Sequence, residues 1–442
     1  MFENITNLAY GYNFNKYTEL YSGYTKEWTK PTEENIRKEI CKYYLINYAG
    51  WYEPEAENGA KGFAEHPELW SLSRMVDDMK KVKEYRENWN SGTTSVAAWW
   101  RDNNYKLLFF PKLDMSNVTN AERCWHSNYN CWFYPSVDMP LATNVAGMYY
   151  YNDCQWICGD INLPALTTAG SNRFIWYLTR LRCKITLNLP NLTSLTNGLL
   201  QSTALDYVPT INAPQLAKCG YMLFRGVNFL KDNDVIRELG PNMNWSGCTD
   251  FRWMFYQSSG VSKVDISLID FSSAVQLTSM LYECSSGLTI ECPTTLNLPV
   301  AEAINYMFYG APVKKIGNIN SPNVWDMEGA YASPTLEEIG TVYCGKVIDF
   351  EYIFEGCTAL KNIGGLTDLG ATFTSATTQE KRTLTLSDSP LLTHQSVLNI
   401  INSVATLSET EGHIVLHSDV YEQLTDADKD LAASKGWVVE TA

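Results

Sequence analysis

The stretch that decides the fold joins Leu296-Asn297-Leu298-Pro299, a short apolar strand closed by proline, to Met307-Phe308-Tyr309-Gly310, an apolar-aromatic cluster closed by glycine. Working outward, the same two parts recur. Strands of this kind are Val137-Asp138-Met139-Pro140-Leu141, Ile161-Asn162-Leu163-Pro164 and Leu187-Asn188-Leu189-Pro190. Clusters are Met148-Tyr149-Tyr150, Phe174-Ile175-Trp176, Met222-Leu223-Phe224, Met254-Phe255-Tyr256, Met280-Leu281-Tyr282 and Tyr352-Ile353-Phe354, with weaker ones beginning at Cys124, Gly198 and Gly329. Successive cluster starts lie 24, 26, 24, 24, 32, 26, 27, 22 and 23 residues apart. A unit this short holds one strand and a turn of helix or 3₁₀, so it cannot bury its apolar side alone. Stacking the units makes one continuous core, each touching only its neighbours.

A period of roughly 20 to 29 residues is the signature of leucine-rich repeats. The expected fold is therefore α+β: an irregular leucine-rich-repeat solenoid of about ten turns over residues 107–386. The 32-residue step contains Asn228 to Gly240, where Val235, Ile236 and Leu239 have helical spacing. It reads as an insertion that lengthens one turn.

The flanks do not repeat. Residues 1–106 read as a small helical region that docks to a partner or caps the coil. Pro31-Thr32-Glu33-Glu34 opens one helix, with Ile36, Ile40, Tyr43, Tyr44 and Ile46 as its apolar stripe and Gly50 near its end. A second helix is predicted from Pro67 to Asn88 on Leu69, Leu72, Met75, Val76, Met79 and Val82, with Asp77, Asp78, Lys80 and Lys81 on the opposite face. The first 30 residues, rich in Tyr and Asn, read as extended. Residues 387–442 read as an α/β cap. Thr383-Leu384-Thr385-Leu386 is the last repeat strand, Thr393 caps a helix through Ile401, Ile414-Val415-Leu416 is a strand, Ser418 or Asp419 caps a helix to about Lys435, and Trp437-Val438-Val439 closes the chain.

Composition narrows the function. A net charge of −15 argues against a nucleic-acid grip, which needs a basic surface. The N-terminus shows no basic and apolar leader, so synthesis in a cytoplasm without signal-peptide export is expected. No window holds about 18 uninterrupted apolar residues, so no membrane insertion is expected. Twelve cysteines are too sparse for a disulfide scaffold, and reduced core thiols are expected. Cys154 and Cys158, and the group Cys124, His126 and Cys131, lack paired zinc-ligand spacing. No cofactor or metal is expected.

Catalytic signals are absent as well. His66, His126, His394, His413 and His417 adjoin no nucleophile elbow, and Gly364-Gly365 reads as a turn rather than a phosphate loop. The neighbouring pairs Glu33-Glu34, Asp77-Asp78 and Glu337-Glu338 point apart on a helix or strand. A non-enzyme is expected.

Aromatic residues make up 13% of the chain, with 14 Trp and 27 Tyr, more than a core usually needs. Trp125, Tyr129, Trp132, Phe133 and Tyr134 crowd the first unit, Tyr149, Tyr150, Tyr151 and Trp156 the second, and Trp176 and Tyr177 the third. Neighbours alternate in direction along a strand, so one or two per unit point into a narrow core. The candidate binding set is thus Trp125, Tyr129, Trp132, Tyr134, Tyr149, Tyr151, Trp156, Trp176 and Tyr177, facing a glycan or a partner protein. The competing reading packs them against the N-terminal region.

Leu113-Asp114-Met115-Ser116-Asn117-Val118-Thr119-Asn120, Met307 to Gly310, and Phe354-Glu355-Gly356-Cys357-Thr358-Ala359-Leu360 resemble the BspA-type leucine-rich repeat. The chain's ending is similar to units found on such proteins in Bacteroidales and their phages. The resemblance covers roughly residues 107–390 and carries no catalytic residues. It implies a bacterial surface protein of gut or oral anaerobes, or a protein of their phages. With no leader in view, the expectation is a virion structural or host-recognition protein that binds other virion proteins or a host receptor or glycan. A cell-surface adhesin is the alternative, and a glycan-processing enzyme a more distant one. Homo-oligomers are common among such parts, though no heptads specify one. On this expectation, deleting residues 1–106 leaves a folded, soluble solenoid that no longer enters the particle.

Overall fold

The computed structural model describes residues 33–442 except 68–70, 102–106, 129–130, 151–154, 169–174, 177–179, 195–198, 219–220 and 409, and leaves out the side chains of Glu33, Tyr150 and Trp176. It is a mixed α/β chain with short parallel strands in several sheets and few helices.

The strands pair one period apart. Val137–Asp138 pairs with Ile161–Asn162, that strand with Thr186–Asn188, and that in turn with Thr210–Asn212, all parallel and in register. Between the strands, single bridges continue the ladders, as in the series Asp250, Gln276, Ala303, Asp326 and Asp349. Asparagines within the apolar strands join this stacking. The Asn188 amide donates to Asn162 Oδ1 at 2.5 Å, and the Asn162 amide donates to Asp138 Oδ1 at 2.9 Å. The prolines that follow lack an N–H and end the pairing. Their carbonyls then serve the next unit: Asn191 donates to Pro164 O at 2.8 Å and Asn323 to Pro299 O at 2.7 Å.

Each unit turns its corner through left-handed backbone. Arg123 and Ser127, Met222 and Gly226, Trp253 and Gln257, Ser279 and Glu283, Tyr306 and Gly310, and Tyr352 and Gly356 all have φ between 49° and 66°. That conformation costs a side chain about 1–2 kcal/mol and costs glycine nothing. The glycine that closes Met307-Phe308-Tyr309-Gly310 is the unstrained solution to that corner.

The ladder is entered at Ser95, bridged to Asn120, before the expected start at 107. In the 32-residue step, Val235–Glu238 is the expected helix. The C-terminal unit is a three-stranded parallel sheet of Thr383–Leu386, Gly412–Leu416 and Trp437–Thr441. Thr393 caps the helix His394–Ser403 as expected. The second expected helix is two: Ser418–Tyr421, capped by His417, and Asp426–Ser434, opened by a Thr425/Asp428 capping box.

Upstream, Glu33–Asn47 matches the first predicted helix, while Leu72–Glu87, capped by Ser71, starts later than the helix expected from Pro67, whose Leu69 lies outside the described residues. A third, Glu53–Glu65, lies between them. Its Gly59 and Gly62 weaken helix propensity by about 1 kcal/mol each, and packing requires both. A Cβ on Gly59 would lie 2.7 Å from the Trp51 ring, and one on Gly62 would lie 2.4 Å from Trp156 Nε1.

Asp78 corrects the expected outer face of the last of these helices. It is buried, and its Oδ2 accepts from Leu108 N–H at 2.7 Å. Burial pushes its acid up to about 6, against hydrogen bonds from Leu108 and Phe109 that pull it down. The folded value lies above the unfolded value of roughly 4. Its stabilisation is therefore complete below about pH 4 and lost as pH rises through about 6, on the order of 3 kcal/mol. Asp78→Asn keeps an acceptor for Leu108 and removes the titration. Its unfolding free energy in urea, relative to the parent, is expected to rise between pH 4 and 7. A constant difference would show that Asp78 titrates normally.

Candidate functional site

Of the expected binding set, Trp125, Tyr134, Tyr149 and Trp156 are buried, which corrects their assignment to a surface, and Trp132 is half-buried. Trp125 is enclosed between Trp100, at 5.9 Å and 18°, and Tyr149, at 5.0 Å and 30°. Tyr134, also enclosed, stacks on Phe110 at 5.5 Å. Trp156 stacks on Phe133 at 4.4 Å and 7°, and Phe133 on Phe109 at 4.6 Å. Trp132 is half-buried against the same group. Neighbouring side chains do alternate along the strand, but both directions lead into a core. Tyr134 enters the core of the stacked units, while neighbouring Phe133 enters a second core beneath the N-terminal helices. Both sides of the strand are covered, so neither residue is free for a ligand. Tyr129, Tyr151 and Tyr177 lie outside the described residues, as does the side chain of Trp176.

A polar clamp holds those helices down. Ser136 Oγ donates to Glu55 Oε1 and accepts from Lys112 Nζ, which also donates to Ser136 O at 3.0 Å. A hydroxyl beside an amine and a carboxylate has the makings of a nucleophile. Here Ser136 and Glu55 are both buried, and the hydroxyl is engaged by the two charged groups that flank it.

The exposed aromatic array is on later units. In Met254-Phe255-Tyr256, Met280-Leu281-Tyr282 and Met307-Phe308-Tyr309 the first two residues are fully buried and the tyrosine is half-exposed. Backbone rungs fix the three tyrosines in register: Gln257 N–H donates to Tyr282 O at 2.8 Å and Glu283 N–H to Tyr309 O at 2.7 Å. Tyr256 and Tyr282 stack at 4.9 Å and 5°, Tyr282 and Tyr309 at 5.1 Å and 10°. These distances match the spacing of paired strands, about 4.8 Å. Arg225 covers the outer face of Tyr256 at 5.2 Å. Tyr306 stands edge-on to Tyr282 and Tyr309, and its hydroxyl donates to Glu328. Burial and that carboxylate hold the Tyr306 phenol well above its ordinary range. The next unit has Gly329 at this position, where a Cβ would lie 2.6 Å from the Tyr306 ring. Trp253, Tyr306 and the exposed Tyr352 occupy equivalent corner positions.

The geometry decides what this array can do. The facing sides of the three rings are spent on one another and Arg225 covers the outer side of Tyr256, so the stack presents mainly phenol edges and hydroxyls. Carboxylates flank it, with Glu283 accepting from the Gln257 amide at 2.9 Å. The result is a stiff surface of amphipathic edges beside acids. Proteins favour such a surface for binding proteins, because a pre-ordered tyrosine loses little entropy on contact. One sequence signal could have found it: the third place of three consecutive clusters is tyrosine.

The remaining candidates are structural. Burial pushes the thiols of Cys284 and Cys357 up to about 12, so they are neutral core groups. Cys248 departs from the expected reduced state: it is disulfide-bonded, to a partner outside the described residues. Three histidines tie the C-terminal unit together. His394 meets Asp428 at 3.0 Å, His413 meets Glu440 at 3.2 Å, and His417 Nδ1 accepts from Asp419 N–H. Among the described residues no three His, Cys, Asp or Glu side chains gather as metal ligands, and no helix is long and apolar enough to cross a membrane. Comparison with protein-family models, with curated proteins and with solved structures finds no match to this chain.

Proposed function

We propose that the stacked units are a leucine-rich-repeat solenoid of the BspA type, and that the chain is a non-enzymatic recognition protein of a phage particle. The Tyr256–Tyr282–Tyr309 face binds its protein partner. The observation that carries this reading is the stack itself: three half-exposed tyrosines held in register by the backbone, with core residues behind them and carboxylates beside them. The resemblance of the repeats to the BspA type, and of the chain's ending to units on such proteins in Bacteroidales and their phages, supplies the setting, with a host surface protein as the partner.

Two measurements test it. Antibody labelling of purified particles is expected to find the chain on the virion, and labelling confined to the bacterial envelope would place it on the cell surface instead. Tyr282→Ala removes the middle ring. Adsorption of the labelled protein to intact host cells is expected to fall about tenfold or more, as for a buried interface tyrosine. Thermal unfolding shifts only by the loss of one half-exposed ring. Tyr282→Phe keeps the stack and isolates the hydroxyl. Adsorption unchanged in Tyr282→Ala would remove this face from the binding surface.

A further inference from the structure

A second aromatic site lies where the helix Leu72–Glu87 meets the first stacked unit. A cleft of about 360 Å³ opens there, walled by Trp89, Trp99 and Tyr85 with Lys81, Glu84 and Asn90 at its edge. Trp99 is 46% exposed, unlike Trp100 beside it, which is buried. The two indoles that line the cleft meet at 5.8 Å and 72°, forming a corner with one free face. The corner is held from behind. Trp89 Nε1 donates to Asp114 O at 2.8 Å, and Tyr85 Oη accepts from Trp100 Nε1 at 2.7 Å. The polar edge is uncommitted by comparison. Asn90 Oδ1 accepts from Gly92 N–H at 3.0 Å, which leaves its amide hydrogens free to donate outward. Among the described residues neither Lys81 nor Glu84 has an ion-pair partner.

We infer that this cleft is a carbohydrate subsite for a neutral oligosaccharide. The volume falls within the roughly 300–1,000 Å³ of small-ligand clefts and suits one or two pyranose rings. A pyranose carries an apolar face of C–H bonds and a rim of hydroxyls that both donate and accept. The open Trp99 face takes the first. The Glu84 carboxylate accepts from the rim, and Lys81 and Asn90 donate to it. One acid and one base at the edge balance, which favours an uncharged ligand over an anionic one. The cleft differs from the tyrosine stack, whose facing ring sides are spent on one another, and the inference does not rest on the function proposed for that stack.

The test is calorimetric and fluorescence titration of the full chain with neutral tetrasaccharides of glucose, mannose, galactose and xylose. At least one is expected to bind with a dissociation constant below about 5 mM and to change tryptophan emission. Trp99→Ala is expected to weaken it about tenfold or more, and Glu84→Gln severalfold. Tyr282→Ala leaves it unchanged, which separates this site from the stack. Trp99 is exposed, so its variant should melt like the parent. If that variant fails to fold, Glu84→Gln carries the test alone. No binding by the parent to any of the four at 5 mM, or equal binding by both variants, would overturn the inference.

Discussion

Deleting the helices Glu33–Asn47, Glu53–Glu65 and Leu72–Glu87 should make the remaining chain aggregate. The helices cover Leu107, 6% exposed, and Leu108, Phe109, Phe133, Trp156 and Cys158, none more than 4% exposed. The three stacked aromatics would each bare the edge or face that the helices now cover, part of the about 150–250 Å² such a side chain buries. With Leu107, Leu108 and Cys158 they form one contiguous apolar patch of the kind that drives association. The deletion also strands Lys112, which would lose the Glu55 carboxylate from its clamp. A cut at 106 is worse, because it removes the rung in which Val96, Ala98 and Trp100 donate to Asn120, Glu122 and Cys124. This reverses the expectation of a folded, soluble remainder. Size-exclusion chromatography with light scattering is the check. A monomeric remainder with the parent's circular dichroism and a cooperative melt would show that the helices are an appendage.

Gly260→Ala is expected to cost more than about 3 kcal/mol, the largest effect of any single substitution considered. Gly260 has φ +117°, and an added Cβ would sit 1.9 Å from Phe229 O and 2.6 Å from its carbonyl carbon. Those atoms are backbone in a parallel pair, and Phe229 O accepts from Val261 N–H at 3.0 Å. Nothing flexible is available to move, so the rung must break. Gly356→Ala is the control. Its φ is +66° but nothing lies within 4 Å of its Cβ position. It should lose only the left-handed penalty, about 1–2 kcal/mol. Urea unfolding of both variants separates steric conflict from conformational preference. Equal losses would mean that the Phe229–Gly260 rung is looser than its geometry.

These effects also show what the amino-acid pattern could reveal. Repetition is a one-dimensional signal, so the spacing of the clusters led to rungs one period apart. The Asn228 to Gly240 insertion and the Thr393 cap were legible for a similar reason, since caps and turn residues act locally, whereas the break between Ser418–Tyr421 and Asp426–Ser434 was not. Contacts between non-adjacent segments were not legible. Glu53–Glu65 is a helix whose glycines are explained only by Trp51 and Trp156. Asp78 reads as solvent-facing until Leu108 is placed against it. The aromatics of the first units read as surplus because periodicity shows that the N-terminal helices have an apolar face but not what it covers: Phe133 and Trp156 lie under them, while Trp125, Tyr134 and Tyr149 fill the core of the stacked units. By the same logic the tyrosines at 256, 282 and 309 looked like ordinary repeat residues. Their excess over the core appears only when the register aligns them.

The claim that the tyrosine stack is the recognition surface is tested most directly by hydroxyl-radical footprinting of the protein free and bound to host cells. Tyr256, Tyr282, Tyr306 and Tyr309 should become protected together, while Tyr52, 61% exposed on the N-terminal helices, stays as reactive as in the free chain. Protection of Tyr52 with the four stack tyrosines unchanged would contradict the account.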